Sequence, residues 1–157
     1  MPSPSLTALA AAVLQAPAWP ERVLEVGCGE GDGALFLARE YPSARVRGVD
    51  RSAAAIEAAV RRVGLDPEGR VAFKQHPGRA LPYPDAFFDL VAQVGGRLGA
   101  AELARVTRPD GCLVLVGEWR LLDWRLGKHG FVAGRHGEAA GERFHVYRLD
   151  AGDGSPE

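Results

Sequence analysis

The fold is decided by the stretch Val23-Leu24-Glu25-Val26-Gly27-Cys28-Gly29-Glu30-Gly31-Asp32-Gly33. It opens with a short apolar run of the kind that a parallel strand buries on both faces. Glycines at every second position then allow a sharp turn and let a ligand approach the backbone with no Cβ in the way. Apolar residues at helical spacing follow, from Ala34 to Ala38. The stretch therefore predicts a strand, a glycine turn and a helix, which is the nucleotide-binding corner of a doubly wound α/β fold.

The charges around this turn indicate which nucleotide it binds. A dinucleotide places its pyrophosphate at the helix N-terminus, where free N–H groups and the helix dipole favour anions. Here Glu25 ends the strand, and Glu30 and Asp32 lie in the turn. Carboxylates at these positions would repel a pyrophosphate. They suit a ligand that is uncharged or cationic at this point, such as S-adenosylmethionine, which carries a sulfonium and an ammonium group and no phosphate.

The same stretch resembles motif I of the class I S-adenosylmethionine-dependent methyltransferases, in which an acidic residue precedes Gly-x-Gly-x-Gly. Glu25, Gly27, Gly29 and Gly31 match in place. The alternative is an NAD site of the Rossmann type, because Gly29-x-Gly31-x-x-Ala34 also satisfies the looser dinucleotide pattern.

Two later segments extend the resemblance, in particular to the small-molecule group called methyltransferase type 11. Residues 81–91 read Leu-Pro-Tyr-Pro-Asp-Ala-Phe-Phe-Asp-Leu-Val, close to the family's Leu-Pro-Phe-Pro-Asp followed by Phe-Asp-Leu-Val. Residues 102–115 resemble the signature before the family's fifth strand. The resemblance covers about residues 22–117 by motif and the rest by the order of elements. It implies an α/β, Rossmann-like doubly wound sheet, mostly parallel, of seven strands with a C-terminal antiparallel hairpin.

Local patterns place the individual elements within one methyltransferase-like domain over residues 1–149. We expect a tail over 150–157 to be disordered, because its Gly, Ser, Pro and Asp residues cannot build a core. Ser5 is a possible N-cap of the first helix. The predicted helices cover 5–15, 33–40, 53–63, 100–106 and 118–126, and the predicted strands cover 23–26, 44–50, 70–74, 89–94, 112–116, 131–134 and 143–149.

Asp50 is the second informative residue. In doubly wound folds, an acidic residue about 20 positions past the glycines accepts hydrogen bonds from ribose hydroxyls. Asp50 ends the second predicted strand at that distance, and Arg51 beside it continues what looks like the family's second motif. The alternative is that Asp50 is a helix cap or a surface loop residue, although Ser52 is the better cap. We expect the apo fold to lose little without Asp50, since a loop carboxylate facing water holds few other groups together.

The segment before Leu81 departs from the family pattern. Family members usually carry an aspartate four residues earlier that binds the adenine amino group, and this chain has Pro77 there. Proline has neither a side-chain acceptor nor an N–H. Either backbone groups around Gly78 and Arg79 recognise adenine, or affinity is low, or the site has degenerated. The cofactor-binding set implied by the resemblance is Glu25, Gly27, Cys28, Gly29, Asp50, Arg51, Gly78, Arg79 and Gln93.

Composition excludes several other classes of protein. The formal net charge of -1 provides no overall positive field to attract a nucleic acid or an anionic membrane surface. No apolar run reaches the ~20 residues of a membrane span. The two cysteines offer neither a disulfide framework nor metal spacing, so we predict no metal site and a reducing, cytoplasmic setting. The short N-terminal part suggests an open site, or one that a homodimer or a partner protein completes.

The function predicted from these features is methyl transfer from S-adenosylmethionine to an unidentified, small-molecule acceptor. The sulfonium is already a strong electrophile, so positioning of the acceptor is the main task and a general base is not obligatory. Tyr83, His76 and Glu118 are candidates for acceptor contact. Two alternatives stay open. One is a non-catalytic methyltransferase-like subunit that binds S-adenosylmethionine or a partner, which Pro77 and the short glycine-rich loop after Gln93 favour. The other is an NAD-dependent oxidoreductase.

Overall fold

The computed structural model describes residues 3–16, 19–95, 98–117 and 120–152. Within these ranges helices and strands alternate along the chain. The elements are α1 (Pro4–Gln15), β1 (Arg22–Val26), α2 (Asp32–Glu40), β2 (Arg45–Asp50), α3 (Ala53–Val63), β3 (Val71–Gln75), β4 (Phe88–Val94), α4 (Ala100–Val106), β5 (Thr107–Val116), α5 (Arg120–Lys128), β6 (Phe131–Ala139) and β7 (Glu142–Leu149).

The strands form one sheet in the order β3-β2-β1-β4-β5-β7-β6. Strands β1 to β5 pair in parallel, and β7 runs antiparallel to both β5 and β6. The predicted fold class is therefore confirmed. Val26 lies in register with Val49 on one side and with Gln93 on the other. The strand order reverses between β1 and β4, and a ligand crevice is expected at the carboxyl ends of the strands there.

The sheet is buried on both faces, as the apolar run of β1 predicts. Val23 and Leu24 are both fully buried, and they point to opposite faces. Val23 belongs to a cluster with residues of α1 and α2, and Leu24 to a cluster with residues of α4 and α5. The continuous apolar sequence of this strand follows from its position between two helical layers.

Several boundaries differ from the prediction, for local reasons. Helix α1 begins at Pro4 and not at Ser5, because Ser3 is the N-cap and accepts from the Leu6 N–H at 3.2 Å. Proline suits the first turn of a helix, where its missing N–H has no partner to lose. Ser52 caps α3 as predicted and accepts from the Ala55 N–H at 3.1 Å.

The C-terminal elements are longer than their sequence patterns indicate. Strand β5 begins at Thr107 rather than at Cys112, with a register shift against β4 that absorbs the intervening turn residues. Strands β6 and β7 form a hairpin that turns at Ala140 and Gly141, not over a loop from residue 137. The Asp150 N–H donates to the Gly130 carbonyl at 2.9 Å. Residues 153–157 of the predicted tail lie outside the described residues.

Among the helices of the described ranges, none is both long and apolar enough to cross a membrane.

Candidate functional site

The glycine turn after β1 is held against the end of β2. The backbone N–H groups of Gly27 and Cys28 both donate to the Val49 carbonyl, at 2.9 and 3.0 Å. Gly29 has a φ of 52°, and no atom lies within 4 Å of the place where its Cβ would be. The backbone at Gly29 is therefore open to an approaching ligand.

Gly31 is required for a different reason. It forms the N-cap of α2 with a φ of 96°, which side chains rarely adopt. A Cβ there would also lie 2.9 Å from Cζ of Phe73. Gly31 thus allows the helix to start close to the neighbouring strand β3.

Asp50 lies at the carboxyl end of β2 and organises the turn. One carboxylate oxygen, Oδ2, accepts from the Gly29 N–H at 2.9 Å. The other, Oδ1, accepts from the Ser52 N–H at 2.9 Å. The expectation that this carboxylate holds few other groups is wrong, because it fixes the backbone of two loops. Each oxygen has two lone pairs, so one acceptor position on each stays free for a ligand hydroxyl.

Glu25 does not face solvent as the argument from charge assumed. Its side chain is buried beneath the start of α2, and a Cβ on Gly33 would lie 1.9 Å from its Oε2. Burial raises the pKa of this carboxyl from 4.5 to about 8, while a hydrogen bond from the Ala34 backbone N–H opposes the rise. Oε1 is buried without a hydrogen-bond partner among the described residues. Glu25 is therefore mostly protonated at neutral pH in this state.

Asp32 is also partly neutralised, because it pairs with Arg62 at 2.6 Å. Arg62 donates in addition to the Glu30 carbonyl at 3.1 Å. The turn is consequently less negative than the sequence alone indicates. The argument from charge against a pyrophosphate is weaker for that reason.

A cavity of about 780 Å³ opens at the carboxyl edge of the sheet between β1, β2, the loop after β3, and α4. This volume lies within the ~300–1,000 Å³ typical of small-molecule sites. Five residues of the predicted cofactor-binding set line it: Gly27, Asp50, Arg51, Gly78 and Arg79. The structure thus brings residues from three separate segments of the chain to one cavity.

The other four residues of that set lie nearby but do not line the cavity. Glu25 is beneath α2, and Gly29 holds its N–H toward Asp50. Gln93 is fully buried, and its side-chain amide is hydrogen bonded to both the N–H and the carbonyl of Leu98, at 3.1 and 3.4 Å. The Cys28 thiol is buried next to the Gly29 carbonyl, and burial raises its pKa to about 12. Cys28 is therefore not a nucleophile at neutral pH.

Of the candidates for acceptor contact, His76 lines the cavity, and its contact with an acceptor stays a prediction. Its Nε2 is buried and has no hydrogen-bond partner among the described residues. Tyr83 does not line the cavity, because its ring packs edge-on against Phe88 at 4.9 Å. Glu118 lies outside the described residues. Pro77 is exposed and absent from the wall of the cavity.

Sequence reasoning missed a clamp that holds one wall in place. Glu102 on α4 accepts from the Leu81 N–H at 2.8 Å and pairs with Arg105 one turn later. Arg105 in turn donates to the carbonyls of Tyr83 and Leu81, at 2.8 and 3.0 Å. The hydrogen bond from the Arg105 side chain, and to a smaller extent the one from the Leu81 N–H, lowers the pKa of Glu102 and keeps it ionised. Glu and Arg at a spacing of three on a helix are common, so only the tertiary structure reveals this role.

Comparison with known proteins agrees with this geometry. Residues 23–111, more than half of the chain, match the family model described as "Methyltransferase domain". A fatty-acid O-methyltransferase of Mycolicibacterium smegmatis is 38% identical over 104 residues, covering 62% of this chain and 37% of the relative. The ubiquinone/menaquinone biosynthesis C-methyltransferase of Geobacter sulfurreducens is 36% identical over 109 residues, covering 62% and 43%. The chain thus matches less than half of the length of these curated relatives.

The fold has a close counterpart among solved structures. The crystal structure of a SAM-dependent methyltransferase from Aquifex aeolicus superposes with a TM-score of 0.71 at 22% identity, and covers 92% of this chain and 90% of its own. The fold is therefore the Rossmann-like fold of this solved methyltransferase. The chain belongs to the methyltransferase domain family.

Proposed function

We propose that this chain binds S-adenosylmethionine in the cavity beside the glycine turn and transfers its methyl group to a small-molecule acceptor. The observation that carries the proposal is the position of Asp50. Its carboxylate lines the cavity at the end of β2, the strand next to β1, and it holds the glycine turn by accepting a hydrogen bond from the Gly29 N–H. Two relatives are named for small-molecule methylation, one as a fatty-acid O-methyltransferase and the other as a C-methyltransferase of ubiquinone/menaquinone biosynthesis. These names support a small-molecule acceptor.

The residues of the site fit the cofactor in the following way. Asp50 keeps one free acceptor position on each oxygen, which suits the two hydroxyl groups of a ribose. Gly78 and Arg79 supply the backbone that would contact adenine in place of the missing aspartate at Pro77. Leu81 and Leu98 add apolar surface to the same wall. Three residues of the predicted set would act without touching the cofactor. Glu25 fixes the start of α2, Cys28 the glycine turn, and Gln93 the loop after β4.

Bound S-adenosylmethionine supplies an electrophilic methyl group, so the chain has to orient the acceptor and exclude water. Asp50 and Glu102 on the wall are already bound to backbone groups. These contacts fix both carboxylates to the backbone of the cavity wall.

Calorimetric titration of the 157-residue chain tests the proposal. We expect S-adenosylmethionine and S-adenosylhomocysteine to bind, and NAD not to bind. Binding of NAD without S-adenosylmethionine would instead establish the oxidoreductase alternative. Binding of S-adenosylmethionine with no methyl transfer to any acceptor would support the non-catalytic alternative, which the replacement of the family's aspartate by Pro77 favours.

Location and assembly are part of the proposal. Cys28 and Cys112 are both free, buried thiols, which suits a reducing cytoplasm. The cavity opens to solvent. The prediction that a second copy of the chain or a partner protein covers it is therefore kept as part of the proposal. Chromatography with light scattering, with and without S-adenosylhomocysteine, measures this directly.

A further inference from the structure

Three arginines from separate segments line the cavity. Arg51 follows β2, Arg79 lies in the loop after β3, and Arg125 lies on α5. All three side chains are exposed, and none makes an ion pair or a side-chain hydrogen bond with the residues that the structure describes. Three guanidinium groups without a partner thus share one cavity, whereas Arg62, Arg105 and Arg148 each pair with a carboxylate.

The carboxylates on the same wall offset only part of this positive charge. Glu102 pairs with Arg105, so Asp50 is the one carboxylate of the cavity lining without a paired arginine among the described residues, against three unpaired arginines. His76 adds a buried Nε2 with no partner in the described part of the chain. The cavity therefore has an excess of groups that bind anions. S-adenosylmethionine carries two positive charges against one negative charge, so it does not by itself account for this excess.

We propose that the methyl acceptor is a carboxylic acid with an apolar body, whose carboxylate is bound by Arg79 and Arg125; this rests on the methyl-transfer function proposed above. A guanidinium group matches the planar carboxylate with two parallel N–H donors. Leu81 and Leu98 on the same wall offer apolar contact to the rest of the molecule.

A carboxylate acceptor also requires no general base from the protein. It is already ionised at neutral pH, since its ordinary pKa is about 4. One of its oxygens forms the new bond to the methyl carbon, while the bond from that carbon to sulfur breaks and its electron pair stays on sulfur. The products are a methyl ester and S-adenosylhomocysteine, and no proton is moved. An alcohol would have to lose a proton to a base in the same step.

The test uses matched acids and alcohols. Binding of octanoate, decanoate and dodecanoate to the 157-residue chain is measured in the presence of S-adenosylhomocysteine, next to binding of the corresponding primary alcohols. The chain is then incubated with methyl-labelled S-adenosylmethionine, and methyl esters are identified by mass spectrometry. We expect at least one acid to bind and to be esterified, and the alcohols to do neither.

Three single variants locate the site. Arg79→Ala and Arg125→Ala should each weaken acid binding about tenfold or more, the loss of a charge-assisted hydrogen bond. Arg125 is not part of the cofactor-binding set, so the affinity of Arg125→Ala for S-adenosylmethionine should stay within about twofold of the wild type. Arg135→Ala, which removes an exposed arginine on β6 away from the cavity, should change neither value.

Three results would overturn the proposal: no acid binds, the alcohols bind as well as the acids, or Arg125→Ala loses as much affinity for S-adenosylmethionine as for the acid. In the last case Arg125 binds the carboxylate of the cofactor. Failure of the proposed function itself is distinguishable, because the wild-type chain would then not bind S-adenosylmethionine in the first titration.

Discussion

The carboxylate of Asp50 accepts a hydrogen bond from the backbone N–H of Gly29 at 2.9 Å, so the end of β2 holds the turn that follows β1. Its second oxygen accepts from the Ser52 N–H at the start of α3. One residue thus joins two loops at the edge of the sheet where the cofactor is proposed to bind. Its removal must affect both the apo fold and the binding of ligand.

We predict that Asp50→Ala weakens S-adenosylmethionine binding by roughly 30- to 1000-fold, the loss of two charge-assisted hydrogen bonds worth together about 2–4 kcal/mol. It should also lower the free energy of unfolding of the apo protein by about 1–3 kcal/mol, because two backbone N–H groups lose their acceptor. Calorimetry and urea unfolding measure the two effects. Asp50→Asn should have an affinity and a free energy of unfolding between those of the wild type and Asp50→Ala, because it keeps one acceptor oxygen.

Ser52→Ala is the matched control for Asp50. It removes the side-chain cap of α3, which should lower the free energy of unfolding by about 1 kcal/mol and leave affinity unchanged. If Asp50→Ala behaved like Ser52→Ala in both measurements, Asp50 would be a structural residue only, and the ribose assignment would be wrong.

Gly29→Val should abolish cofactor binding in a protein that still folds. No atom lies within 4 Å of the added Cβ, so the side chain meets no part of the protein, but it fills the space through which a ligand approaches. The φ of 52° adds strain of about 1–2 kcal/mol. Gly69→Val is the control, because Gly69 has a φ of 62° and equally open surroundings in the loop before β3. Equal affinity in the two variants would remove the glycine turn from the binding site.

Glu25 should make stability depend on pH. Burial raises its pKa in the folded state from 4.5 to about 8, so between these values the folded protein holds a proton that the unfolded chain has lost. The free energy of unfolding therefore falls as pH rises through this window, by up to about 1.4 kcal/mol per pH unit. Above pH 8 the loss is complete.

Glu25→Gln tests this, since the amide keeps the shape and stays neutral. The variant should gain stability relative to the wild type as pH rises from 5 to 9, as measured by urea unfolding at each pH. Glu57→Gln, at an exposed position on α3, serves as the control. A constant difference between Glu25→Gln and the wild type across this range would show that Glu25 is ionised throughout.

Gly33→Ala should destabilise the protein, contrary to the usual effect of alanine in a helix. The new Cβ would lie 1.9 Å from Oε2 of Glu25, and the buried side chain has little room to move. We expect a loss of about 1–3 kcal/mol, typical of overpacking. Gly127→Ala, in α5 with no atom within 4 Å, should instead stabilise by about 0.4–1 kcal/mol.

Thermal or urea unfolding of the two alanine variants measures whether each one gains or loses free energy of unfolding relative to the wild type. The double variant Glu25→Ala with Gly33→Ala should lose less free energy of unfolding than the two single variants lose together, because the Cβ of the alanine at position 33 no longer meets the Glu25 carboxyl group. Strict additivity would mean that the two side chains do not compete for the same space.

The order and type of the elements could be predicted because local patterns determine them. The apolar run of β1, the glycines after it and the helical spacing from Ala34 all lie within one stretch of the chain. Asp50 could be placed for the same reason, since it follows the apolar residues of β2 directly. Boundaries were less certain where a partner strand extends an element, as in β5 and the β6–β7 hairpin.

The sequence by itself determined the class of fold, the glycine turn and the edge of the sheet at which Asp50 lies, because each depends on neighbours along the chain. Only the tertiary structure decided that Glu25 is buried under Gly33, that Gln93 holds Leu98, and that Arg125 shares a cavity with Arg79. Burial, pKa and shared cavities depend on which distant segments pack together. No local pattern of residue types records that packing.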